Sequence, residues 1–220
     1  MALQSARDLL RQRPELHREL TELFARIERT PDTNTVKGMY VSGIVQALET
    51  RNITYTPKER IQSFTDYPLR AYMELLLDSA VTLYPGTTVH DGLYRLGLLA
   101  IPTFGLSIVG KVVMGTVGRS WELALKYVSR GYEISLKPGK ATVAHFENGK
   151  ALVELRDIWN FGESYQVGVI EGLMKSCGIN GRITPTVISA CDVDLRLEWS
   201  AERSLRRSRS GRPPTLVSRP

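Results

Sequence analysis

The residues of this chain able to bind a metal or attack a carbon are few. They comprise three histidines, two cysteines and scattered serines and carboxylates. His17, His90 and His145 form no H-x-x-x-H or H-x-H pair, whereas a metal site needs two or more ligands at compatible spacing. His145 therefore reads as an ordinary strand residue and no metal is expected. Cys177 and Cys191 belong to no C-x-x-C pair and have no nearby histidine, which suits reduced, buried thiols better than a disulfide framework, a zinc cluster or a nucleophile. Gly105-Leu106-Ser107-Ile108-Val109 departs from the Gly-x-Ser-x-Gly elbow of serine hydrolases. Gly105, Gly110, Gly115 and Gly118 have no Gly-Lys-Ser/Thr ending and no preceding strand, so they form no phosphate loop. Their spacing suits close helix packing instead. Asp192 and Asp194 share one face of an alternating stretch, the solvated side of a strand, with Arg182 and Arg196 placed to balance them. No catalytic residue is assigned, and the chain is expected not to be an enzyme.

Charge offers a second kind of chemistry. The chain has 29 Lys and Arg against 23 Asp and Glu, a net +6. Six of those arginines and a single acid fall in residues 201–220, which leaves 23 bases and 22 acids in residues 1–200. Arg203, Arg206, Arg207 and Arg209 have the composition to bind nucleic-acid phosphates by counterion release, and that is the alternative function. The rest of the chain is nearly neutral and the tail carries no stacking aromatics, so a disordered, solvated tail is the preferred reading.

The elements before that tail divide into a helical half and a strand-rich half. Residues 1–31 form an N-terminal helical extension, with a helix over Ser5–Arg13 and an amphipathic one over Pro14–Glu28 that presents Leu16, Leu20, Leu23, Phe24 and Ile27. Helices are expected over Asn34–Arg51, briefly after the Thr56-Pro57-Lys58-Glu59 capping box, and over Leu69–Tyr84, which is too apolar for a surface helix. Val89–Leu99 and Thr103–Val117 follow, bent at Pro102, and Ser120 caps a helix to about Ser129. The apolar stretch Leu93–Val117 carries Arg95 and Lys111 and is expected to be buried rather than membrane-spanning. The N-terminus has no signal-peptide pattern, so the chain is placed in the cytosol, with no membrane partner.

From Gly131 onward the pattern alternates. Strands are expected over Tyr132–Leu136, Ala141–Phe146 and Ala151–Arg156, the last two joined by a hairpin at Asn148-Gly149. A helix over Ser164–Ser176 and strands over Arg182–Ala190 and Asp192–Trp199 complete a β-β-β-α-β-β half. The fold class is α+β with an antiparallel sheet, a single domain over residues 32–200 and a tail over 201–220.

This order carries a resemblance. Thr35 to Leu48 (TVKGMYVSGIVQAL), Asp66-Tyr67-Pro68 ahead of an apolar helix, Asp91 to Gly97 (DGLYRLG) and the closing Asp192–Trp199 strand resemble a myxobacterial family of unknown function. That family is similar in turn to haem-nitric-oxide-binding sensor domains and to ligand-binding domains of the 4-vinyl-reductase type. The resemblance implies a sensor fold and, for the haem sensors, an iron-ligating histidine before the sheet and a Tyr-x-Ser-x-Arg strand motif. Glu122–Arg130 contains no histidine, and Tyr127-Val128-Ser129-Arg130 has its arginine one place early. Ala151–Arg156 contains no tyrosine. Haem is therefore not expected, and no other cofactor is assigned. The expected function is a non-catalytic regulatory or sensory domain, in myxobacterial signalling or development, that binds a small apolar ligand or a signalling protein. Tyr72, Leu76, Phe104, Ile108 and Met114 are the candidates to line its pocket.

Overall fold

The computed structural model describes residues 2–57, 59–106, 108–118 and 120–200. Helix α1 (Ala6–Gln12) leads through a 3-10 turn at Pro14–Leu16 into α2 (His17–Arg29). The expected stripe Leu16, Leu20, Leu23, Phe24 and Ile27 is buried. Thr35 and Val36 do not begin a helix. With Lys37 they form strand β1 (Thr35–Lys37), and α3 (Gly38–Glu49) starts four residues later than expected. β1 lies between β2 (Asp66–Pro68) and β3 (Leu136–Lys137), antiparallel to both. Among the described residues between Thr56 and β2 there is no helix. The chain there serves α3 instead, because the first N–H groups of a helix have no partner within it. Gly38 and Met39 donate theirs to the carbonyls of Thr65 and Ser63 at 2.9 and 3.0 Å.

Helix α4 (Leu69–Leu83) is central, with Tyr72, Met73, Leu76, Leu77 and Ala80 all at most 2% exposed. Helix α5 (Val89–Leu106) runs through Pro102, so the expected bend is displaced to the junction with α6 (Ile108–Val117). Glycines explain the position. A Cβ on Gly110 would overlap the Phe104 carbonyl, so the close approach of α6 to the end of α5 needs a residue without one. Ser120 caps α7 (Trp121–Ser135), its Oγ accepting the Leu123 N–H at 3.2 Å. The expected strand at Tyr132–Leu136 shrinks to β3 because the buried stripe Trp121, Leu125, Val128, Tyr132, Ser135 keeps helical spacing to its end.

Strands β4 (Lys140–Glu147), β5 (Lys150–Arg156), β6 (Gly181–Val187) and β7 (Val193–Trp199) form one antiparallel sheet in the order β4-β5-β7-β6. The β4–β5 turn places Gly149 at φ +87°, as an Asn-Gly hairpin requires. β7 alternates cleanly, with Val193, Leu195 and Leu197 buried. β6 stops at Val187 because Ile188 and Ser189 turn to donate to the Asp192 carbonyl. The β-β-β-α-β-β order holds, with its first strand transferred to the small sheet. Between β5 and β6 the chain forms α8 (Tyr165–Ser176), which crosses α5 at backbone distance. A Cβ on Gly97 would overlap the Tyr165 carbonyl, and one on Gly168 the Tyr94 carbonyl. No described helix is long and apolar enough to cross a membrane.

Candidate functional site

The α5–α8 crossing, α3, α7 and the small sheet leave a cavity of about 190 Å³ between them. That exceeds the roughly 150 Å³ of an apolar cavity able to hold benzene. α3 contributes Met39 and Tyr40, α5 contributes Ala100, Ile101 and Phe104, and α6 contributes Met114. Val128, Tyr132 and Ser135 of α7 face Tyr165, Val169 and Ile170 of α8 across it, and Val36 and Leu136 close the sheet end. Tyr40 and Phe104 stack with parallel rings 6.3 Å apart at one wall. The surface is almost wholly hydrocarbon, as expected of a small-molecule pocket.

Its polar groups are phenols and amides paired among themselves. Tyr132 donates to Gln166 Oε1 at 2.6 Å, and Gln166 Nε2 donates to Asn160 Oδ1 at 2.8 Å. Tyr40 bonds Ser135, whose hydroxyl donates to the Gly131 carbonyl. The hydroxyls of Tyr72 and Tyr165 lie 2.7 Å apart, their rings edge to face. Burial pushes all four phenols above their ordinary range, so each remains a neutral hydrogen-bonding group. Arg130, the charged residue at the rim, is exposed and pairs with Glu133 at 3.1 Å.

Of the residues singled out in the sequence, Tyr72, Phe104 and Met114 border this cavity. Leu76, one turn beyond Tyr72 on α4, is fully enclosed in the core and is not among the lining residues. The Ile108 side chain lies outside the described set, and so do Arg203, Arg206, Arg207 and Arg209. The glycines at 105 and 115 do not pack a helix, since a Cβ on either would meet nothing within 4 Å. Gly97 and Gly168 do that instead. Asp194 is balanced by Arg156 at 2.7 Å rather than by Arg182 or Arg196, and the Ser189 hydroxyl and nearby Arg156 hold the Asp192 carboxyl below its usual range. Both cysteines are free; Cys177 is buried but Cys191 only half so. His145 is half-exposed on β4, 3.2 Å from Glu147. Tyr40, Tyr132, Tyr165, Gln166 and Asn160 escaped the sequence reading. The available signal was Tyr165-Gln166 opening a helix whose next four residues, Val167 to Ile170, are apolar or glycine.

Residues 29–200 match the family described as "Protein of unknown function (DUF2378)". No curated protein matches the chain in sequence. Solved H-NOX structures share the fold. An H-NOX protein from S. oneidensis in the Fe(II)NO state superposes with a TM-score of 0.58 at 13% identity, covering 74% of this chain and 99% of that one. An unliganded Fe(II) H-NOX protein from K. algicida gives 0.51 at 10% identity, covering 74% and 96%. An oxygen-binding H-NOX domain related to soluble guanylate cyclases also gives 0.51, at 12% identity, covering 74% and 92%.

The residues present do not fit a haem. Among the described residues no histidine or cysteine borders the cavity, and the buried phenols of Tyr40, Tyr72, Tyr132 and Tyr165 are neutral and paired rather than poised as phenolate ligands. The volume is also below the roughly 300–1,000 Å³ of pockets for drug-sized molecules, and a porphyrin is larger still.

Proposed function

We propose that this chain, which belongs to the DUF2378 family of proteins of unknown function, is a non-catalytic sensory or regulatory domain. In this reading a small apolar molecule occupies the cavity and the filled form is read by a signalling partner in the cytosol. A role in myxobacterial signalling or development belongs to the same proposal. One observation carries it: a cavity of about 190 Å³ whose wall is nearly all hydrocarbon, in a core otherwise closely packed. The H-NOX fold supports a sensory reading by analogy of architecture. The placement of the cavity supports it further. α8 lines the cavity and also reaches β6, where a Cβ on Gly181 would meet Met174 Cε, so a change at the wall has a packed route to the sheet.

Melting curves in the presence of small lipophilic probes, benzene through indole, test the reading. A ligand binding only the folded chain raises stability by about 2.7 kcal/mol at a hundred times its Kd. Ala100→Phe, which extends a ring from α5 into the space, is expected to abolish that rise while the chain stays folded. If every probe leaves the melting temperature of both proteins unmoved, the proposal fails.

A further inference from the structure

Among the described residues, the Tyr72–Tyr165 pair of the cavity holds one O–H more than its own acceptors use. Tyr72 and Tyr165 are each 2% exposed, and both border the cavity. Their oxygens are 2.7 Å apart, so one O–H lies between them, whichever residue donates it. Two phenols carry two such hydrogens. Among the described residues neither oxygen has a second hydrogen-bond partner, so one O–H is left without an acceptor inside the protein.

The neighbouring groups do not take it up. The cavity's other bonded polar groups go elsewhere, the Ser135 hydroxyl to Tyr40 and the Gly131 carbonyl and Gln166 Oε1 to Tyr132, and none is hydrogen-bonded to the pair. A buried donor left unmade is costly, and buried polar groups in folded proteins are nearly always satisfied. The described lining offers no carboxylate to hold a cation, and its one guanidinium, Arg130, is exposed and paired with Glu133. A charged ligand would thus enter a hydrocarbon space uncompensated.

We infer that the Tyr72–Tyr165 pair presents one O–H to the bound molecule, which is therefore a neutral, mostly apolar compound carrying a hydrogen-bond acceptor such as a carbonyl or ether oxygen. This inference rests on the reading of the cavity as a ligand site. Burial keeps both phenols protonated, which suits donation.

Calorimetric titration of the full chain with acetophenone and isopropylbenzene tests it, because the two match in heavy-atom number and shape but only the first has a carbonyl. Tyr72→Phe/Tyr165→Phe removes both hydroxyls together and orphans neither. In that variant acetophenone is expected to weaken about tenfold relative to isopropylbenzene. An unchanged ratio overturns the inference and leaves the cavity reading standing, whereas failure of both probes to bind the wild-type chain overturns both. Should the variant not fold, the carbonyl stretch of acetophenone on the wild-type chain decides. A band lowered from its position in alkane is expected, and an unshifted band overturns the inference.

Discussion

Asp78 shows how burial sets a residue's chemistry away from the cavity. Its Oδ1 accepts the Ala6 N–H at 2.7 Å, tying the start of α1 to α4. Burial, helped by nearby Glu74, raises its carboxyl to about 6 despite that bond. Since the folded value lies above the unfolded one, the neutral form is favoured by folding. The stability contributed by Asp78 is fully present below the ordinary carboxylate range of about 4 and is lost as the pH rises through about 6. Asp78→Asn keeps an acceptor for Ala6 and carries no charge. Its denaturant midpoint is expected to exceed that of the wild type at about pH 8, with the gap closing toward about pH 4. Gly131 offers a contrasting case within α7. A Cβ there would meet nothing within 4 Å, so Gly131→Ala should raise stability by about 0.5–1 kcal/mol through helix propensity, read from the same denaturation curves.

Elements were legible where the residue pattern had one periodic solution. The alternation of β7, the Asn148-Gly149 hairpin and the apolar run of α4 each admit one, and each is found where expected. Tyr132 admitted two. Following Gly131 it fits a strand start, but its hydroxyl reaches Gln166 only from the last turns of α7. Reading it as a strand hid a wall of the cavity. The β1 segment was missed because three strand residues are defined by their partners β2 and β3, which lie 31 and about 100 residues away in sequence. The α5–α8 contact was invisible for a similar reason, since Gly97 and Gly168 acquire their meaning only when the helices cross. Gly168→Ala forces a Cβ against the Tyr94 carbonyl and is expected to destabilise by about 1–3 kcal/mol or more, measured by thermal unfolding. Gly105→Ala, with open space at its Cβ, serves as the control and should lose none.

For the whole molecule, the distinction between body and tail sets what the net charge of +6 means. The family match ends at residue 200, and the six arginines that produce the excess follow it. Deletion of residues 201–220 is expected to leave the melting temperature and lipophilic-probe binding unchanged. Loss of salt-sensitive retention on DNA or RNA in that deletion would instead favour the nucleic-acid alternative. The cavity itself could not be read from any one stretch, because among the described residues its walls come from eight elements and one loop residue, Asn160. The sequence did indicate a near-neutral α+β body with no complete catalytic set, and that is the setting in which an apolar cavity becomes the leading functional feature. Native mass spectrometry of the purified full chain, paired with melting across lipophilic probes, tests its role most directly. Either a small neutral mass released on denaturation or a probe that raises the melting temperature is expected. Apoprotein mass alone, with no probe shifting the melt, would contradict it.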